Sequence, residues 1–296
     1  PMSKTNRLWL LAVVLAFATN PVGLPAAEMS AEDAWKALPE YEAGQDMAAL
    51  LTIDREVIAA MGSPETRAKC AAKLASLLPK EGTTPAAKQY ICVQLRQVGT
   101  KAEVPVLSEM FASRETSEIA RYALEAIPGP EASGVLQEGL IYREGKQLLG
   151  TINSVAARQD SSAVTTLHTL SQHAPAAIAE AAIHALGRIA DSPSADHLLA
   201  MAEKADAPHV RTLHVALLRC AAAGQHAEEI YRMLSQPGMA SATRRAALEG
   251  LLRLQGKKAE ATVIEWFSGE DADRRQIAAG HLQKLSDEQL DKLLAD

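Results

Sequence analysis

From about residue 47 onward the chain alternates apolar-periodic segments of 10 to 18 residues with short breaks rich in Pro, Gly, Asp and Ser. These segments align with one another. Ala185-Leu186-Gly187-Arg188-Ile189 is matched by Ala216-Leu217-Leu218-Arg219-Cys220, by Gly250-Leu251-Leu252-Arg253-Leu254 and by His281-Leu282-Gln283-Lys284-Leu285. The basic residues recur at intervals of 31, 34 and 31. Earlier in the chain, Ala123-Leu124-Glu125-Ala126-Ile127 and Ser154-Val155-Ala156-Ala157-Arg158 hold the same register. A period of this length with two helices in each unit marks a helical repeat array. No single unit can bury its apolar face alone, so neighbours must stack.

Composition agrees. The 56 Ala and 36 Leu come from the top of the helix-propensity scale. Three Phe, three Trp and five Tyr are too few for a β-sandwich or barrel. A 48% hydrophobic content with a net charge of -6 excludes a disordered chain. The expected fold is therefore all-α, an α-solenoid of about seven helical hairpins. The helices pair as 47–61 with 64–79, 103–112 with 116–127, 132–140 with 145–158, and 161–173 with 175–190. Further pairs are 193–205 with 208–222, 226–235 with 241–255, and 258–268 with 272–285. A helix at 85–98 has no assigned partner. Pro64, Pro85, Pro175, Pro193 and Pro208 stand just inside helix starts, with Ser63, Thr84 and Ser192 as candidate caps. Residues 28–46 form a leader whose Trp35, Leu38 and Tyr41 seal the first repeat. Residues 287–295 look like the first helix of a further unit or a cap.

The run Ala182-Ile183-His184-Ala185-Leu186-Gly187-Arg188-Ile189-Ala190-Asp191, followed by Ala195-Asp196-His197-Leu198-Leu199, resembles a HEAT repeat of the short bacterial type. Arg158 to Leu167 is similar, carrying the Asp-x-x-Ala-Val-x-x-Leu pattern of that family. Residues 120–132 resemble HEAT-repeat regions of secreted bacterial proteins, some fused to a 3-keto-disaccharide hydrolase or a cytochrome c domain. The resemblance spans residues 35–290 and implies a fold and a binding role, not a reaction. This chain has no strand-rich catalytic segment and no C-x-x-C-H haem motif.

Lys4 and Arg7 followed by the 11-residue apolar run Leu8–Ala18 read as a secretory signal peptide over residues 1–27. The run is too short to span a bilayer, which needs about 20 apolar residues. The expected location is periplasmic or secreted, with no membrane attachment after cleavage. Loss of Lys4 and Arg7 would leave 28 basic against 36 acidic residues, a balance that does not suit nucleic acid. Phycobilisome lyases also use HEAT-like repeats, but they act in the cytoplasm, and the export signal argues against that reading. Of the three cysteines, Cys70, Cys92 and Cys220, each falls on an apolar helix stripe. They read as core residues, with a Cys70–Cys92 bridge as the alternative.

No catalytic, cofactor or metal motif stands out, so the expectation is a non-catalytic, cofactor-free scaffold that binds a protein partner along a curved surface. Seven of the eight His lie between His168 and His226. His168 and His173, like His209 and His214, are five apart, which turns their rings about 140° from each other on a helix. Stacking across repeats is the remaining way to bring histidines together. Glu228-Glu229 and Glu270-Asp271-Ala272-Asp273 read as charges at helix starts. The candidate binding surface is the recurring basic position, Arg188, Arg219, Arg253 and Lys284, a cationic ladder for an acidic protein segment or an anionic glycan. Alternatively each Arg pairs with a turn acid such as Asp191 or Asp287. Tyr122, Asn153, His184 and Glu249 lie one turn earlier on the same face. A rival reading makes the array the N-terminal accessory module of a larger secreted carbohydrate-active or redox enzyme.

Overall fold

The computed structural model describes residues 29–203 and 209–283. The expected signal peptide, Pro208, Lys284, Asp287 and the helix at 287–295 lie outside the described residues. Within them all regular structure is helical, in stacked helical hairpins. The chain divides into two compact units, one ending at Gln94 and one starting at Leu95.

The first unit opens with α1 (Ala31–Ala37), whose cap Ser30 accepts from the Asp33 N–H. A 3-10 turn over Leu38–Glu40 follows, then the antiparallel pair α2 (Ala48–Ala60) and α3 (Pro64–Ala75). Trp35 and Leu38 are buried, and Tyr41 is half-buried. The Trp35 indole N–H donates to Glu56 at 2.6 Å, while the Lys73 ammonium lies 4.0 Å from its ring centre. Helix α4 (Pro85–Val98) crosses the division between the units. Its first turns are tied to α2 by Tyr90 and Gln94, which both donate to Asp54, at 2.7 and 2.9 Å. Burial, reinforced by Asp54, pushes the Tyr90 hydroxyl well above its ordinary range.

Among the described residues the second unit holds six hairpins. They are α5 (Val104–Ala112) with α6 (Ser117–Leu124), α7 (Pro130–Tyr142) with α8 (Gly145–Arg158), and α9 (Val164–His173) with α10 (Ala176–Ile189). Then come α11 (Ser192–Ala202) with α12 (Val210–Ala222), α13 (Ala227–Leu234) with α14 (Ser241–Gln255), and α15 (Ala259–Ser268) with α16 (Ala272–Leu282). The second helices stack on one another in the order α6, α8, α10, α12, α14, α16. Each hairpin therefore supplies a core slab such as Ile152, Ile183 or Leu217, all fully buried.

Several local expectations are corrected. The cap of α11 is Asp191, whose carboxylate accepts from the Ser194 N–H at 2.9 Å; Ser192 is the first helical residue. Pro175 is itself the residue before α10, in an extended conformation. Helix α6 ends at Leu124, short of 127: Pro128 disfavours helical geometry at Ile127 and has no N–H for the Leu124 carbonyl, which accepts from Arg158 instead. The three thiols are unbridged. Cys92 and Cys220 are buried, and desolvation raises them to about 12 and about 11. Cys70 is only half-buried.

Candidate functional site

The repeat interval places the residues one turn before the recurring basic position on successive second helices. Tyr122 lies on α6, Asn153 on α8, His184 on α10, Val215 on α12, Glu249 on α14 and Gly280 on α16. Tyr122, Asn153, Val215 and Glu249 are exposed; His184 is half-buried. The row thus presents a phenol, an amide, an imidazole, an isopropyl group, a carboxylate and bare backbone in turn.

Arginines stitch this row together, and most do so by reaching to the adjacent repeat. Arg96 donates to the Tyr122 carbonyl at 3.0 Å and to Glu125 at 3.1 Å, with its guanidinium carbon 4.3 Å from the Tyr122 ring centre. Arg121 donates to Ser154 at 2.6 Å, and Ser154 to Glu125 at 2.7 Å. Arg158 donates to the carbonyls of Leu124 and Gly129, each at 3.0 Å, satisfying acceptors at the end of α6 that the helix itself leaves open. Near the other end, buried Arg244 pairs with Asp271 and with Asp273, the latter at 2.9 Å. Hydrogen bonding from Arg244 holds the Asp271 carboxyl far below its usual range. Asp271 therefore caps α16, and it and Asp273 together anchor α14.

The four basic positions are not equivalent. Arg219 is half-buried and donates to His184 Nε2 at 3.0 Å. A guanidinium can only donate, so this nitrogen of His184 is unprotonated. Burial first, then Arg219 and Arg188, lower the His184 pKa. Arg188 and Arg253 are exposed, and no carboxylate of the described residues pairs with either. Asp191 is occupied as a cap. Lys284 lies outside the described residues.

Two histidines do meet across repeats. The rings of His168 on α9 and His197 on α11 have centres 3.4 Å apart. His197 Nε2 lies 2.9 Å from the Ser171 hydroxyl. Ser171 is 1% exposed and donates to the His168 carbonyl at 2.7 Å, so the pair is a packed polar contact, not an accessible nucleophile and base. Among the described residues no three His, Cys, Asp or Glu side chains gather into a metal-holding group. No helix among them is long and apolar enough to cross a membrane.

Sequence reasoning missed a cleft between α14 and α16. It has a volume of about 400 Å³ and is walled by Arg245, Glu249, Arg253, Gln276, Gly280 and His281. A second cavity of about 280 Å³ shares Arg253 and His281 and adds Leu252, Gly256, Ala259, Glu260 and Val263. Arg245 donates to Gln276 Oε1 at 2.8 Å. The available signal was the run Arg245, Glu249, Arg253 at i, i+4, i+8, which lines up one face of a helix.

No family model and no curated protein matches the chain. Solved structures do. An engineered protein is 14% identical over 86% of this chain and 78% of its own, with a TM-score of 0.42. The complex of CpcE and CpcF of phycocyanin lyase from Nostoc sp. PCC7120 is 14% identical over 88% of this chain and 97% of that chain, with a TM-score of 0.41.

Proposed function

We propose that this chain is an exported, HEAT-like interaction module that binds a protein partner along the second-helix row of its second unit and performs no catalysis itself. The observation that carries this reading is the row from Tyr122 to Gly280. Six stacked helices present six different chemistries in register, while the cross-repeat arginines keep the helices in place. A surface of varied side chains suits one particular protein sequence better than a repeated ligand unit. Binding at such a surface concentrates on a few anchors, and Tyr122, Arg188 and Arg253 are the exposed aromatic and arginine candidates. A stable protein interface takes about 800 Å² from each partner, which a row of several hairpins supplies.

Export rests on residues 1–27 alone. Fractionation of cells making the full chain, with mass measurement of the mature N-terminus, tests it. A cytoplasmic, uncleaved product would remove the exported part of the proposal. For the surface, a photo-crosslinking amino acid is placed at Asn153 on the row and, as control, at exposed Glu138 on α7. The same adduct recovered from Asn153 but not Glu138, and lost when Arg188 and Arg253 become Glu, supports the row. Equal crosslinking from both positions, or indifference to the charge reversal, would defeat it.

A further inference from the structure

The cleft between α14 and α16 stands at the one step of the row where the repeating side chain is missing. Gly280 occupies the register position of His184 and Glu249. A glycine inside a helix costs about 1 kcal/mol against alanine, so an interior glycine calls for a reason. Gly139, Gly150, Gly187 and Gly250 each have one: an added Cβ would lie 2.4 to 2.9 Å from a neighbouring atom, whereas Gly134 of α7, like Gly280, faces open space but lines neither cavity. At Gly280 a Cβ would meet nothing within 4 Å among the described residues. What its missing side chain leaves is the cleft.

The walls define the chemistry. Arg253 is exposed and pairs with no described carboxylate. It is shared by the cleft, whose floor includes Ile277, and by the largely apolar cavity over Leu252, Ala259 and Val263, which has one carboxylate, Glu260, in its wall. An anion at Arg253 thus sits beside a pocket for an aliphatic group. Glu249, one turn back on the same helix, can accept an N–H. On a single residue, carboxylate, aliphatic side chain and amide N–H are combined only at an apolar C-terminus; an internal acidic residue beside an apolar one spreads them over two. A fatty acid offers the first two without the third.

We propose that this cleft captures the C-terminal carboxylate of an apolar residue on the protein partner. The guanidinium of Arg253 binds the carboxylate in its fork geometry, the apolar cavity takes the side chain, and Glu249 accepts the terminal amide N–H. The assignment rests on the interaction reading above and names the partner's end that docks.

The test uses the mature chain and three probes in calorimetric titration: N-acetyl-Leu-Leu as the free acid, the same dipeptide as its C-terminal amide, and octanoate. The free acid should bind saturably and the amide about tenfold more weakly, the size of one lost charged hydrogen bond. Arg253→Ala should lower affinity for the free acid by a similar factor. Gly280→Leu fills the cleft from an open position and should abolish binding while the thermal midpoint holds or rises, which separates blockage from misfolding. Equal binding of acid and amide, no saturable binding, or wild-type affinity in either variant would overturn the proposal. Octanoate bound more tightly than the dipeptide would overturn the chain-terminus assignment. The crosslinking at Asn153 is read separately, so loss of the cleft leaves the row standing, and loss of the row is seen without reference to the cleft.

Discussion

Two steps of the same helix row are built differently. Between α10 and α12, Gly187 faces Ala216, and a Cβ on Gly187 would lie 2.5 Å from both Cα and Cβ of Ala216. The backbones touch there, and the Arg219–His184 bond closes the surface above. Between α14 and α16 the same two register positions hold Leu252 and His281, and both line a cavity. Small against small gives contact; Leu252 and His281 instead border a cavity, and the cleft beside it opens at Gly280. The fold is common to both steps, and the residues at the facing register positions decide whether a step is sealed or open.

The most severe way to break this contrast is to exchange glycine for leucine at each step. Gly187→Leu must push α10 off α12, since the obstacle is backbone, and should cost about 3 kcal/mol or more. Gly280→Leu should cost nothing. Urea denaturation of the two variants measures the difference, and similar losses would erase the distinction between steps. Next in size is Arg244→Met, which leaves Asp271 without its main partner. With Asp271 partly exposed the loss should be about 2 kcal/mol, below that of a fully buried pair. That loss should vanish in acid, because Asp271 stabilises the fold only while ionised. The folded state holds its carboxyl below the usual value of 3.8. Its contribution is therefore complete above that value and falls away as pH drops toward the folded one.

His184 sharpens the comparison on the closed step alone. Its pKa is lowered from 6.5 in the fold, so the unfolded chain takes up its proton first as pH falls. Stability should be full above pH 6.5 and decline below it, and His184→Gln should flatten that part of the profile. A profile unchanged by the substitution would show that burial, with Arg219 and Arg188 beside it, does not hold the imidazole neutral in the fold. The smallest effect is Gly280→Ala, which should stabilise by about 0.5–1 kcal/mol through helix propensity. The same change at Gly187 should destabilise.

The helical pairing was legible because apolar residues repeat at helical spacing and Pro, Ser and Asp punctuate the breaks. The helices at 85–98, 145–158 and 241–255 stand as expected within a residue. Caps were less so: at Asp191-Ser192 both residues are good caps, and only the chain's entry angle chooses between them. Tertiary pairing was least legible. Arg188, Arg219 and Arg253 are identical in sequence register, yet one turns onto a histidine 35 residues back and two stay in solvent. What separates them is the partner 31 to 35 residues away, a position that periodicity ranks as equivalent in every repeat. The cleft was hidden for the same reason, since it depends on Glu249 and Arg253 of α14 facing Gly280 of α16 across two helices.

The account stands on cohesion passing from hairpin to hairpin in the second unit. Native-state hydrogen exchange on Ile183→Ala reads this directly. Removing that fully buried side chain should speed exchange in α10 and in its stacked neighbours α8 and α12, while α14 and α16 keep wild-type protection. An equal loss of protection through every helix of the unit would mean one shared cooperative core and would contradict the account.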